Sequence, residues 1–140
     1  TGTFRILQQG DFTFQYRSSS LRETIVLSAT YALTPDDPKT IRRRIDAGLA
    51  KRREQPLGKR CSGCMFKNPA GDAAGRLIDA AGLKGLTVGG ARVSTEHANF
   101  IINEGQATAG DILALCEEVR RRVRERWGVD LELEIRMIKA

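Results

Sequence analysis

The pattern of apolar positions predicts strands near the start of the chain and mostly helices afterwards. Residues 24–33 (TIVLSATYAL) are rich in β-branched side chains and stop before Pro35, which predicts a buried core strand. Residues 3–7 predict a shorter strand, and residues 11–16 form an aromatic-rich segment. The beginning of the chain is therefore expected to be β structure.

A first helix is predicted to begin at residues 34–37, where a capping Thr, a Pro and two acidic residues follow one another. Ile41, Ile45 and Leu49 lie four positions apart on one face, and residues 55–58 end the helix. Arginine and lysine fill many other positions. This basic face suits solvent or nucleic acid, although no interleaved aromatic residues are present to stack on bases.

A second helix is predicted between Asp72, which can cap it, and Gly82, which suits a left-handed stop. Gly75 inside this helix lowers its helix propensity, which indicates close approach by another group. Gly89-Gly90 predicts a tight hairpin within residues 86–93.

A third helix is predicted to start at residues 108–111, which resemble a capping box, and to end at Gly128. Its apolar stripe comprises Ile112, Leu115, Cys116, Val119, Val123 and Trp127. Residues 100–103 predict a short strand, and residues 131–138 alternate as a half-buried strand does. Helices and short strands without regular βαβ alternation predict an α+β fold.

Composition sets broad limits on function. The 140 residues are 41% hydrophobic and 29% charged, which is typical of a globular protein. There is no apolar run of transmembrane length and no secretory pattern, so a cytoplasmic protein is expected. The net charge of +6 suits an anionic ligand without naming one.

Residues 63–69 (GCMFKNP) concentrate chemically useful groups. The Cys64 thiol, the Lys67 ammonium and the Asn68 carboxamide can offer a proton, a positive charge and hydrogen bonds to one small ligand. A short strand with Cys64 and Phe66 pointing into the core explains the same residues without any ligand. Both interpretations stay open on residue types alone.

The C-x-x-C formed by Cys61 and Cys64 raises two further possibilities. A structural zinc site needs four ligands, and only the distant Cys116 and His97 remain, so no metal is predicted. A redox pair usually opens a helix, whereas residues 68–69 predict a turn here. A C-x-x-C redox or metal protein is thus kept only as a third hypothesis.

Eight segments in order resemble the UDP-N-acetylenolpyruvoylglucosamine reductase (MurB) family. They are residues 16–20, 53–57, 62–69, 74–79 with 82–85, 89–91 with 93–94, 97–103, 107–108 with 111–112, and 128–129 with 131–136. The resemblance implies the end of a flavin-binding domain at residues 1–34 and a small α+β substrate-binding domain at residues 35–140.

The resemblance also implies an activity. The family reduces UDP-N-acetylglucosamine enolpyruvate to UDP-N-acetylmuramate in peptidoglycan synthesis, with FAD as cofactor and NADPH as reductant. It implies a small UDP-sugar as the partner, with neither nucleic acid nor membrane, and it leaves the oligomeric state unknown. A non-enzymatic basic module that binds nucleotides or RNA is the alternative.

Three positions match the family's catalytic residues. Arg17 would hold the substrate carboxylate, Cys64 stands where the family most often has a Ser proton donor, and Glu134 would assist the intermediate. Substrate contact is implied for Tyr16, Lys67, Asn68, His97 and Arg136, with a structural role as an equal alternative for His97. Glu134 and Arg136 share a strand face at period two, and solvent exposure is the other explanation.

One family feature is missing. No Gly-rich flavin-binding loop precedes Arg17, so we expect this chain to bind flavin weakly or not at all, and to be inactive alone with NADPH.

Overall fold

The computed structural model describes residues 3–56 and 58–138. The chain divides into two compact units, Thr1–Asp36 and Asp37–Ala140. The first unit contains one antiparallel hairpin of β1 (Phe14–Gln15) and β2 (Ser18–Ser19). The predicted strands at residues 3–7 and 24–33 are wrong, because neither segment forms a strand. Strand propensity expresses packing against neighbouring strands, and most side chains of both segments are exposed.

The first helix, α1 (Pro38–Arg53), begins three residues later than its predicted Pro35 start. The sequence offers two prolines next to acidic residues, and the helix uses the second. Asp37 is the N-cap and accepts a hydrogen bond from the Thr40 N–H at 2.9 Å. The apolar face predicted for α1 is 41–50% exposed at Ile41, Ile45 and Leu49.

The second unit is built on an antiparallel sheet in the order β3-β4-β5, with β3 (Thr87–Val88), β4 (Ala91–Val93) and β5 (Ile101–Asn103). The predicted Gly89-Gly90 turn joins β3 to β4, with Val88 opposite Ala91. β5 then lies antiparallel to β4.

Two further extended segments continue this sheet through single bridges. Cys64 pairs with Phe100, and Phe66 pairs with Leu133, both antiparallel. The strand predicted at residues 131–138 is thus reduced to one bridge, and Met137 near its end is 60% exposed. A strand persists only where a partner backbone takes its hydrogen bonds.

Two helices, α2 (Ala74–Ala80) and α3 (Ala109–Trp127), complete the second unit. The predicted capping box of Thr108 and Asp111 is present at the start of α3, and Gly128 ends it in the left-handed conformation. α3 contacts β3, β4 and α2. The combination of helices with small antiparallel sheets confirms the predicted α+β class.

The stripe predicted on α3 is largely buried. Its fully buried members are Leu115, Cys116, Val119 and Val123. Trp127 departs from the prediction, since it is 39% exposed, and the guanidinium groups of Arg76 and Arg126 lie 5.8 and 5.1 Å from the centre of its ring.

Among the described residues, no helix combines the length and apolar character needed to cross a bilayer.

Replacing Cys116 by Ala is expected to reduce the loss in free energy of unfolding that the protein shows at alkaline pH. Burial, followed by the charge of Glu117, raises the pKa of the Cys116 thiol from 9.0 to about 11. The stability this group contributes is complete below pH 9 and is lost as pH rises towards 11. Urea unfolding at the two pH values should show a loss about 2–3 kcal/mol larger in the wild type than in Cys116→Ala. Equal losses would contradict the expectation.

Candidate active site

The segment at residues 64–68 is held by two buried side chains. Met65 and Phe66 are 1% and 2% exposed and belong to the hydrophobic core. Cys64 and Lys67 on either side of them are half-buried, and Asn68 is exposed. The apolar pair thus fixes the backbone while the neighbouring polar groups remain near the surface.

Glu134 lies on the segment next to this one. The Glu134 N–H donates to the Met65 carbonyl at 2.8 Å, and the Lys67 N–H donates to the Glu132 carbonyl at 2.8 Å. Paired strands lie about 4.8 Å apart, so the backbones at Cys64 and Glu134 are close neighbours. The Glu134 side chain is half-buried. Convergence of the thiol and the carboxylate on one cleft stays a prediction.

Lys67 and Asn68 each have a contact that the sequence did not predict. The Lys67 ammonium pairs with the Glu132 carboxylate, which adds a side-chain link between the two segments. Asn68 Oδ1 accepts from the Ala74 N–H at 3.0 Å and so caps α2. The prediction that Asp72 is this cap is therefore wrong, since the N-cap is Ala73.

Asp72 serves a different purpose. Its carboxylate pairs with Arg76 one turn along α2 and accepts from the Ala73 N–H. The hydrogen bond from Arg76, and then that from Ala73, lower the pKa of Asp72 to about 2. The Asp72 carboxylate thus makes both of these contacts within the first turn of α2, where they stabilise the start of this short helix.

His97 is fixed by contacts within the second unit. Its Nδ1 accepts from the Asn99 N–H at 3.2 Å, and its ring packs edge-on against Phe100 at 4.9 Å. A Cβ built on Gly75 would lie 3.1 Å from His97 Cε1, which supplies the close approach that a glycine inside α2 predicted. These contacts support the structural role, and substrate contact stays a prediction.

Tyr16 and Arg17 form the tight turn of the hairpin in the first unit. Arg17 has φ +53°, and no other non-glycine residue of the described chain has a positive φ. This conformation is uncommon for a long side chain and is typical of turns and functional sites. The catalytic role of Arg17 stays a prediction, as do substrate contacts by Tyr16 and by the exposed Arg136.

The sequence reasoning missed Asn99. Its side chain is 2% exposed and bonds to the backbone of Phe66. The spacing of 33 residues gives no local pattern that would reveal this contact. Its place directly before the predicted strand at residues 100–103 was the one sign in the sequence, and its burial, which calls for a polar partner, is visible only in the structure.

Charge pairing on α3 weakens the alternative of a basic RNA-binding module. Arg121 pairs with Glu118 and Glu125, and Arg122 also pairs with Glu118. The hydrogen bonds from Arg121 and Arg122 lower the pKa of Glu118 to about 2, so it stays ionised.

Across the described residues, no group of three or more metal-ligating side chains is present.

These features define an α+β domain with a thiol and a carboxylate on neighbouring segments. The profile of "UDP-N-acetylenolpyruvoylglucosamine reductase, C-terminal domain" matches residues 55–138, and the chain belongs to this family. It is 52% identical over 136 residues to the UDP-N-acetylenolpyruvoylglucosamine reductase of Moorella thermoacetica, covering 96% of this chain and 45% of that protein.

Two further comparisons agree. The reductase of the same name from Sphingopyxis alaskensis is 46% identical over 140 residues, covering 99% of this chain and 47% of its own length. The crystal structure of the reductase (MurB) from Thermus caldophilus is 48% identical with a TM-score of 0.62, covering 74% of this chain and 36% of that one. The chain spans about half the length of the curated relatives it matches.

Proposed function

We propose that this chain carries the substrate-binding domain of a reductase that converts UDP-N-acetylglucosamine enolpyruvate to UDP-N-acetylmuramate for peptidoglycan. The observation that carries the proposal is the pairing of the Cys64 segment with the Glu134 segment through Met65 and Lys67. This pairing places the Cys64 thiol, the proposed proton donor, and the Glu134 carboxylate on adjacent stretches of backbone. Family membership supports the same activity.

The proposed roles follow from the chemistry of each side chain. The Cys64 thiol gives its proton to the carbon next to the one that receives hydride, and the resulting thiolate regains a proton from solvent. Arg17 holds the substrate carboxylate and favours the enolate-like intermediate, while Glu134 shares a proton with that carboxylate. Tyr16, Lys67, Asn68, His97 and Arg136 are the proposed substrate contacts.

The proposed cofactors are FAD and NADPH. A bound reduced flavin would supply the hydride and be reduced again by NADPH. The donor set of the described residues, a thiol, cations and amides, fits an anionic sugar nucleotide, and no residue of this chain is assigned to the flavin.

The test compares two ligands at two salt concentrations. UDP-N-acetylglucosamine enolpyruvate is expected to bind with modest dependence on salt. A single-stranded RNA oligomer held by six or more phosphate contacts would lose about 300-fold or more in affinity between 50 and 200 mM salt.

Two substitutions separate the sites in that titration. Lys67→Gln, which removes a cation from a proposed substrate contact, is expected to weaken sugar-nucleotide binding, whereas Arg43→Gln on the exposed face of α1 removes the same charge and leaves it unchanged. RNA binding that exceeds sugar-nucleotide binding, and that falls with Arg43→Gln, would overturn the proposal in favour of a basic RNA-binding module.

A further inference from the structure

Asn99 bonds both the oxygen and the nitrogen of its carboxamide to the backbone of a single residue. Its Oδ1 accepts from the Phe66 N–H at 2.9 Å, and its Nδ2 donates to the Phe66 carbonyl at 2.8 Å. Its own carbonyl accepts from the Met65 N–H at 2.8 Å. The side chain is 2% exposed, so these bonds form away from water.

The sheet explains why Phe66 needs this partner. Where Phe66 pairs with Leu133, the bonds to that segment come from the Lys67 N–H and the Met65 carbonyl. The N–H and carbonyl of Phe66 itself therefore point to the opposite side. On that side the Asn99 side chain takes the place of a strand backbone by supplying one donor and one acceptor.

We propose that Asn99 is a positioning residue that fixes the backbone register of residues 64–68 and thereby the direction of the Cys64 thiol. Side chains alternate between the two faces of an extended segment, so a slip or a rotated peptide at Phe66 turns Cys64 away from its place. The catalytic consequence rests on the proposed function. The geometric consequence does not depend on it.

The test follows thiol labelling, which needs no substrate. Asn99→Asp is nearly isosteric, but the ionised carboxylate of this variant cannot donate to the Phe66 carbonyl. The labelling rate of Cys64 is expected to change about tenfold relative to wild type, as loss of one buried hydrogen bond allows. Cys61, three residues earlier, and the buried Cys116 are internal references read by peptide mass spectrometry.

Acid pH supplies a rescue that a general loss of packing would not show. Burial raises the pKa of a carboxyl group, and the carboxyl group of the Asn99→Asp variant, once protonated, regains a donor for the Phe66 carbonyl. With a disulfide reagent that reacts at acid pH, the variant-to-wild-type ratio for Cys64 should return towards one as pH falls. The backbone bond from the residue 99 N–H to His97 Nδ1 does not involve the substituted side chain, so it is available in both proteins.

The outcomes are distinct. An unchanged Cys64 ratio with Cys116 still protected overturns the proposal, and so does equal acceleration at all three cysteines, which means that Asn99 supports only the fold. If Asn99→Asp does not fold at neutral pH, Asn99→Ala, which leaves space for water at Phe66, is expected to show the same selective change. Failure of sugar-nucleotide binding in wild type would refute the proposed function and leave this result unaffected.

Discussion

Replacing Cys64 by Ala is expected to lower reductase turnover by a factor on the order of 10²–10⁴, the usual contribution of a general acid. The half-buried thiol lies one residue from Met65, whose carbonyl holds the Glu134 segment. The methyl group of the Ala variant has no acidic proton to give. The measurement uses this chain joined to the part of the Moorella thermoacetica relative that it does not cover.

The pH dependence tests the same role. Only the protonated thiol donates, so turnover should fall as pH rises through the thiol pKa, ordinarily about 8.5. Cys64→Ser should keep measurable activity and lose this alkaline limb, because a hydroxyl does not ionise in this range. Neighbouring charges and burial can move the midpoint, whereas the direction of the change stays the same.

Cys61→Ala is the matched control, since it removes a thiol from the same segment and should leave turnover near that of the wild type. Stopped-flow traces should show that NADPH still reduces the flavin in Cys64→Ala, because that half-reaction needs no carbon protonation. Near-normal turnover in Cys64→Ala would assign the proton to another group and return Cys64 to a packing role.

Gly90→Ala is expected to destabilise the second unit by about 3 kcal/mol. An added Cβ would lie 2.5 Å from the Ala107 backbone nitrogen and 2.8 Å from the Gln106 carbonyl carbon. Backbone atoms cannot swing aside as a flexible side chain does. The Gly90 carbonyl also accepts from the Glu104 N–H at 3.0 Å, which ties the hairpin to this loop.

Gly48→Ala provides the comparison for this prediction. Nothing lies within 4 Å of a Cβ at Gly48 in α1, so the change should stabilise that helix by up to about 1 kcal/mol. Urea unfolding of both variants measures the two effects. A Gly90→Ala variant as stable as the wild type would show that the loop at Gln106 shifts freely.

Helix ends followed from the sequence wherever the information was local. Thr108 and Asp111 lie within one turn and form the predicted box, and Gly128 ends the helix as expected. The caps of α1 and α2 were misassigned because neighbouring residues competed. Asp37 and Pro38 start α1 in place of Thr34 and Pro35. At the start of α2, Asn68 accepts the Ala74 N–H, a bond that was expected of Asp72.

Strands were predicted less well because their stability depends on distant partners. Residues 24–33 have the composition of a core strand, yet they form none. The segment around Leu133 was predicted to be a long strand, yet it forms a single bridge, because only the short extended backbone around Phe66 lies beside it. Composition indicates which segments can pair, and only the fold decides which do.

The candidate site divides in the same way. Cys64, Lys67 and Asn68 were identified from their closeness in sequence, and Glu134 from alternation together with family resemblance. Asn99 escaped notice because its contact with Phe66 exists only after folding. Tyr16 and Arg17 were singled out by the family resemblance, whereas their turn and the positive φ of Arg17 were not foreseen.

The long separation between paired segments has a consequence during translation. Phe66 leaves the ribosome 33 residues before Asn99 and 67 residues before Leu133 (133 − 66 = 67). Until both have been synthesised, Met65 and Phe66 present an apolar segment with unpaired backbone groups, a typical target of chaperones. A chain released from a stalled ribosome before residue 131 would keep that segment exposed and be open to aggregation or proteolysis.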